Sequence, residues 1–332
     1  MKEAKFYKEY KNYLQCQLCP NYCIIKENET GKCYARKNIK RKLISLSYGK
    51  PVAMNIDPIE KKPLYHFLPG TKTYSIGTAG CTFKCLNCQN QDIAHANPED
   101  FSTKFIEPKE IVKLAIKNNC KSISYTYTEP TAFYEYMLDI AKIAKKNKLK
   151  NIIVSNGYIN EKPLIELCKY IDAANIDLKS FNEKFYKNVC FGSLKPVLNT
   201  LKILKNKNIW LEITNLIIPK LNDNPKEIDK MTKWIYTNLK QIPLHFSKFY
   251  PMHKLTNKEP TSLETLKKAY EIAKKNKLNY VYLGNVKTDM ENTYCPRCKQ
   301  LLVERNGYSI TKMNIKNKKC NRCNEKIPGI WS

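Results

Sequence analysis

Between residues 74 and 283, short apolar segments alternate with amphipathic ones, and this alternation admits few folds. Candidate strands are Tyr74–Thr78, Ser122–Tyr127, Asn151–Ser155, Ala173–Leu178, Trp210–Ile217 and Leu244–Phe249, with a further short one at Tyr280–Leu283. They are rich in β-branched and aromatic residues, as suits strands buried on both faces. The segments Pro108–Asn118, Thr131–Lys146, Lys162–Lys169, Pro196–Lys205, Pro225–Leu239 and Ser262–Lys275 carry apolar residues at helical spacing. Several open with Pro in the first turn, a favoured helix start. Six βα units in succession imply a parallel sheet with right-handed crossovers. Periodicity alone leaves a doubly wound sheet and a partial barrel open. In either, ligands sit beyond the C-terminal ends of the strands.

The 332 residues, 42% of them hydrophobic, suffice for one large α/β domain with small appendages. The first residues lack the apolar run of a signal peptide, and no segment approaches the roughly 20 apolar residues of a membrane span. A cytoplasmic protein without membrane association is expected. The net charge of +28 admits a nucleic-acid partner. Its lysines are spread over helix faces such as Ala141–Lys150, and a solvated surface is the favoured reading.

Fourteen cysteines without an export signal point to metal sites rather than disulfides. Eleven fall into three groups: Cys16, Cys19, Cys23 and Cys33; Cys81, Cys85 and Cys88; Cys295, Cys298, Cys320 and Cys323. Cys120, Cys168 and Cys190 stand alone and read as small core residues. The flanks lack helical periodicity and are too short to build a core alone. The expected division is therefore a four-cysteine metal-binding module at 1–70, the α/β unit at 71–290 and a second four-cysteine module, zinc-ribbon-like, at 291–332.

The central triad directly follows the first candidate strand, in Gly80-Cys81-Thr82-Phe83-Lys84-Cys85-Leu86-Asn87-Cys88-Gln89-Asn90. Three thiolates in one short loop can hold three corners of a [4Fe-4S] cubane, which leaves the fourth iron open to a cofactor. Structural zinc fits poorly, because its sites are closed by four ligands.

This loop resembles that of the radical S-adenosylmethionine (SAM) enzymes. The resemblance implies that SAM chelates the open iron and is cleaved by one electron to methionine and a 5′-deoxyadenosyl radical. Further stretches match by position. Tyr127-Thr128-Glu129-Pro130-Thr131 resembles the element that holds the SAM amine, with Glu129 as the carboxylate. Asn156 follows the third strand. Asp177 and Lys179 share a face by the period of two, suited to the ribose hydroxyls and to a SAM carboxylate or the substrate. Ile218 lies at an apolar edge fit to pack on adenine. The chain departs from the superfamily pattern at Asn87, where an aromatic residue often precedes the third cysteine.

A narrower resemblance rests on Asp57-Pro58-Ile59-Glu60-Lys61-Lys62-Pro63-Leu64-Tyr65-His66-Phe67, on Val154-Ser155-Asn156-Gly157-Tyr158 and on Pro243-Leu244-His245-Phe246-Ser247-Lys248-Phe249-Tyr250-Pro251. With both flanking cysteine groups, these are similar to the radical SAM protein of the AmmeMemoRadiSam system, itself related to activating enzymes of glycyl-radical proteins such as pyruvate formate-lyase. That resemblance implies a partial (β/α)6 TIM-like barrel and two companion proteins.

The two Cys-x2-Cys knuckles at 295–298 and 320–323 are close to a zinc-ribbon pattern and read as structural Zn2+. The N-terminal four thiolates can close a zinc site or ligate a second iron–sulfur cluster, with zinc preferred. Lys179, His245 and Tyr250 are the catalytic candidates, while His66, His95 and His253 read as structural. The expected function is SAM cleavage for modifying a protein, peptide or small organic molecule, with ferredoxin or flavodoxin as electron donor. An RNA-modifying radical SAM enzyme is the alternative, and a non-enzymatic, metal-stabilised nucleic-acid-binding protein the remote one.

Overall fold

The computed structural model describes residues 2–332. At its centre is an eight-stranded sheet formed by β1 (Pro51–Pro58), β2 (Lys72–Thr78), β3 (Ser122–Tyr125), β4 (Lys150–Ser155), β5 (Ala173–Asp177), β6 (Trp210–Ile217), β7 (Leu244–Lys248) and β8 (Val281–Gly284). Each strand lies beside its neighbour in sequence. The pairs from β2 to β8 are parallel, and β1 is antiparallel to β2. The connecting helices are α1 (Pro108–Lys117), α2 (Tyr134–Lys146), α3 (Glu161–Leu167), α4 (Leu194–Asn206), α5 (Pro225–Leu239) and α6 (Leu263–Lys275).

This order bears on the two architectures that periodicity left open. A doubly wound sheet reverses its strand order at a switch point, and here the order never reverses. Right-handed crossovers in unbroken succession put the helices on one face of the sheet. Each helix buries its apolar stripe there: Ile111, Val112 and Ala115 on α1, and Ile228, Met231 and Ile235 on α5. Local chemistry fixes where they begin. Pro108 occupies the first turn of α1, and the Asn224 side chain caps α5 by accepting from the Lys226 N–H at 2.9 Å.

The six expected βα units are β2–β7 with α1–α6, and β1 and β8 extend the sheet to eight strands at its edges. β1 corrects the expected boundary at residue 70. Its register sets Pro51 opposite Thr78 and Pro58 opposite Lys72, so this part of residues 1–70 belongs to the main sheet. Prolines at both ends suit an edge strand, which can spare backbone donors.

The small flanking sheets attach at opposite ends. Near the C-terminal strand ends, the Lys5 N–H donates to Glu135 Oε1 at 2.8 Å, and the Asn160 N–H donates to the Leu18 carbonyl at 3.0 Å. Arg36 forms a fully buried ion pair with Glu135. At the other end, residues 62–68 are fastened onto the base of the sheet. The Tyr65 and His66 N–H groups donate to the Glu212 carboxylate at 3.0 and 2.8 Å, and Asn175 Nδ2 donates to the Pro63 carbonyl at 2.8 Å. Arg305 in the C-terminal module donates to the Tyr65 carbonyl at 2.9 Å. Among the described residues, no helix is long and apolar enough to cross a membrane.

Candidate active site: a three-cysteine loop at the strand ends

The loop that begins at Gly80 leaves the C-terminal end of β2 and is clamped on three sides. The Lys84 and Leu86 N–H groups donate to the Cys190 and Val189 carbonyls at 3.1 and 2.9 Å. The Lys254 N–H donates to the Leu86 carbonyl at 3.0 Å, and the Gly80 N–H to the Ile93 carbonyl at 2.9 Å. Gly80 has φ +100°, and a Cβ there would stand 2.4 Å from the Cys33 carbonyl oxygen, so both its conformation and its surroundings require glycine.

Burial, then the nearby Glu129 carboxylate, holds the Cys81 thiol well above its ordinary range. Cys190 and burial do the same for Cys85, and burial raises Cys88. Buried thiols that resist ionisation alone are thiols whose protons a cation must replace. Two ammonium groups face them. Burial lowers Lys84, which lies within electrostatic reach of Cys81 and Cys88. Burial also works against Lys179, yet Asp177, Cys85 and Cys190 together hold it well above the usual lysine range.

Sulfur spacing separates the cysteine groups. The four C-terminal sulfurs lie within 4.8 Å of one another, with Cys295–Cys323 at 3.6 Å and Cys298–Cys320 at 3.7 Å. Bonds of about 2.3 Å to one tetrahedral zinc ion would place sulfurs about 3.8 Å apart, so this group fits a single ion. No other three or more His, Cys, Asp or Glu ligand atoms among the described residues are gathered so closely. The triad sulfurs are therefore spread beyond the shell of one ion, as ligands of separate irons must be.

The strand-end residues meet this loop. Asn156 Nδ2 donates to Thr82 Oγ1 at 3.0 Å and reaches Cys81 Sγ at 3.8 Å. Lys179 Nζ donates to Asp177 Oδ2 at 3.0 Å beside Cys85. The Ile218 N–H donates to Asn222 Oδ1 at 2.6 Å, and Asn222 Nδ2 donates to the Lys179 carbonyl at 2.6 Å, which ties the ends of β5 and β6 together. Glu129 is fully enclosed. Its Oε1 accepts from the Thr131 N–H, the Thr131 hydroxyl and the Ser155 hydroxyl at 2.9, 2.7 and 2.8 Å, and its Oε2 from the Asn156 N–H at 2.8 Å.

Two catalytic candidates lie elsewhere. His245 sits three residues before the end of β7, about 10 Å of strand below the mouth. Its Nε2 is 2.7 Å from Glu212 Oε2, and its ring packs edge-on to Tyr65. These contacts place His245 in a buried polar cluster with Glu212 and Tyr65, apart from the cysteine loop's own contacts. Tyr250 is at the correct end but exposed, and its hydroxyl donates to the Asn285 carbonyl at 3.2 Å.

Cys190 is buried, as its reading as a small core residue expects, but that reading does not place it beside the triad. It is fully buried and close enough to Cys85 to raise its thiol, because the turn Tyr186–Cys190 folds against the loop. The signal was slight: a third lone cysteine, 102 residues after Cys88.

Comparison with known proteins agrees with this arrangement. The radical SAM superfamily profile matches residues 75–235. The chain is 46% identical to an uncharacterized protein of Methanocaldococcus jannaschii, over 98% of this chain and 99% of that one. It is 27% identical to the Escherichia coli pyruvate formate-lyase 1-activating enzyme, over 44% of this chain and 61% of that enzyme. A radical SAM methyltransferase structure from Sphaerobacter thermophilus shares the fold at TM-score 0.53 and 12% identity, over 65% of this chain and 67% of that one. The loop, the strand-end residues and these relatives agree: the chain belongs to the radical SAM superfamily and is an enzyme whose membership implies SAM cleavage at an iron–sulfur cluster.

Proposed function

We propose that Cys81, Cys85 and Cys88 hold a [4Fe-4S] cluster over the mouth of an open, partial (β/α)6 barrel, where SAM is cleaved to modify a protein, peptide or small organic substrate. The observation that carries this reading is the spread, buried three-cysteine loop with Lys179 and Asp177 beside Cys85. When bound, the cluster supplies one electron to the SAM sulfonium, which releases methionine and leaves a carbon-centred radical.

The chain's own groups then have separate tasks. Lys179, kept cationic by Asp177, pairs with the SAM carboxylate, and Asp177 offers its remaining acceptor capacity to the ribose hydroxyls. Asn156 holds the Cys81–Thr82 segment in place. Ile218, nearly enclosed at the end of β6, backs the adenine pocket. Glu129 already has four donors, so it acts chiefly by fixing Ser155 and Asn156 rather than as the main seat of the SAM amine.

The C-terminal cysteines take Zn2+ and brace the base. The motifs at 57–67, 154–158 and 243–251 support membership of the AmmeMemoRadiSam group, with two companion proteins and a ferredoxin or flavodoxin as reductant. The deciding experiment is anaerobic incubation with SAM and a low-potential reductant, with and without the companion proteins, and mass analysis of every component. 5′-Deoxyadenosine from the wild type but not from Cys85→Ala supports the reading. Equal formation by both ends it.

A further inference from the structure

We propose that Cys16, Cys19, Cys23 and Cys33 hold an auxiliary four-iron cluster, rather than the zinc ion preferred from sequence, and that this cluster stands directly against the Cys81 loop. This goes beyond the reading above and stands without it.

The four cysteines share one site. They line a single small pocket together with Leu18, Ile25 and Arg36. Their thiols interact electrostatically. Cys16 and Cys33 lie within electrostatic reach of Cys19, and Cys16 within reach of Cys33.

Yet the sulfurs are not gathered as zinc requires. The C-terminal group sits within one tetrahedral shell, whereas no three ligand atoms of the N-terminal group lie within 4.8 Å of one another. Buried, interacting sulfurs spread around a cavity match the triad rather than the C-terminal group. A cubane accounts for the spread, because each sulfur binds its own iron.

The donors around the cavity agree. The Lys32 N–H donates to Cys23 Sγ at 3.4 Å, and Arg36 Nη1 donates to Cys16 Sγ at 3.7 Å. Arg36 is only 1% exposed, and its Nε–H has no acceptor. An unpaired buried donor costs about 1–3 kcal/mol.

Placement follows from the residues on either side of Cys81. Gly80 meets the Cys33 carbonyl with no room for a Cβ, and the Thr82 carbonyl accepts from Asn21 Nδ2 at 2.9 Å. Thr82 also lines the N-terminal cavity. Four protein ligands leave no open iron, so this site suits one-electron transfer. Where the cluster proposed at Cys81, Cys85 and Cys88 is also present, this site would relay to it one electron from a reduced low-potential carrier protein, with no bond made or broken.

The test is metal and sulfide analysis of the full chain, purified anaerobically and reconstituted with iron and sulfide. The wild type is expected to hold about eight irons and about one zinc. The variant Cys81→Ala/Cys85→Ala/Cys88→Ala is expected to keep about four irons, with the Mössbauer signature of a four-iron cluster. About two zinc ions in the wild type, or a folded triple variant without iron, overturns the proposal. Four irons in both proteins would keep this proposal and instead remove the cluster from Cys81, Cys85 and Cys88.

Discussion

The Glu129 carboxylate accepts the Asn156 N–H at 2.8 Å, and the Asn156 side chain in turn holds Thr82 at 3.0 Å. A buried acid at the end of β3 thus sets the position of the cysteine loop through the turn after β4.

Glu129→Gln places an amide NH2 against groups that are themselves donors. One buried donor then loses its acceptor, a cost of about 1–3 kcal/mol. The urea midpoint is expected to fall accordingly, and iron retention at the triad to fall with it. An unchanged midpoint would show that the four hydrogen bonds are replaceable.

Lys179→Met removes the cation beside Cys85 and leaves Asp177 unpaired. One charge-assisted hydrogen bond is worth about 1.5–3 kcal/mol, so SAM affinity is expected to fall about tenfold to a hundredfold. Lys179→Arg keeps the charge and should recover part of the loss. Equilibrium binding of SAM to the reconstituted enzyme measures both.

Cys190 tests how the loop sets the redox behaviour of the metal site. A thiol this close to Cys85 could donate to its sulfur once that sulfur is a metal ligand. Cys190→Ala withdraws that donor, and the reduction potential is expected to become more negative, by about 40 mV for a bond of about 1 kcal/mol. Spectroelectrochemical titration reads this directly. A shift of the opposite sign would exclude the donor role.

The base of the sheet carries a pH dependence. His66 Nδ1–H donates to the Pro328 carbonyl at 2.7 Å, and Tyr282 donates to Nε2. Tyr282 in turn receives from Thr293, and Thr293 from Arg305, so donation runs one way into a neutral imidazole. Burial lowers the His66 pKa from 6.5 to about 4. Below pH 6.5 the unfolded chain takes up a proton that the folded chain refuses until about pH 4. Stability is therefore expected to fall as pH drops through that window, by about 3 kcal/mol at its foot. His66→Gln should flatten this part of the profile in denaturant unfolding at graded pH.

Periodicity made most of the fold legible. Six strands and six helices follow from short apolar runs and amphipathic stretches with proline or polar starts. β1 escaped because its Met54 and Ile56 are exposed at an edge and prolines bound it, so it lacks the pattern of a buried strand. The cysteine triad was legible because its geometry is local to one loop. The period of two gave the face that His245 presents but not its height along β7, and height decides its role. The contact between Cys190 and Cys85 depends on the path of the intervening chain, which local spacing does not encode.

The two flanking modules bear on opposite ends of the sheet. Residues 62–68 stopper the base, and the N-terminal cysteines occupy the rim beside α2. The segment after β7 borders the loop as well: exposed Tyr250 and Met252 precede Lys254, whose N–H holds Leu86 of the cysteine loop. A partner that binds residues 249–255 would therefore bear on the seating of that loop.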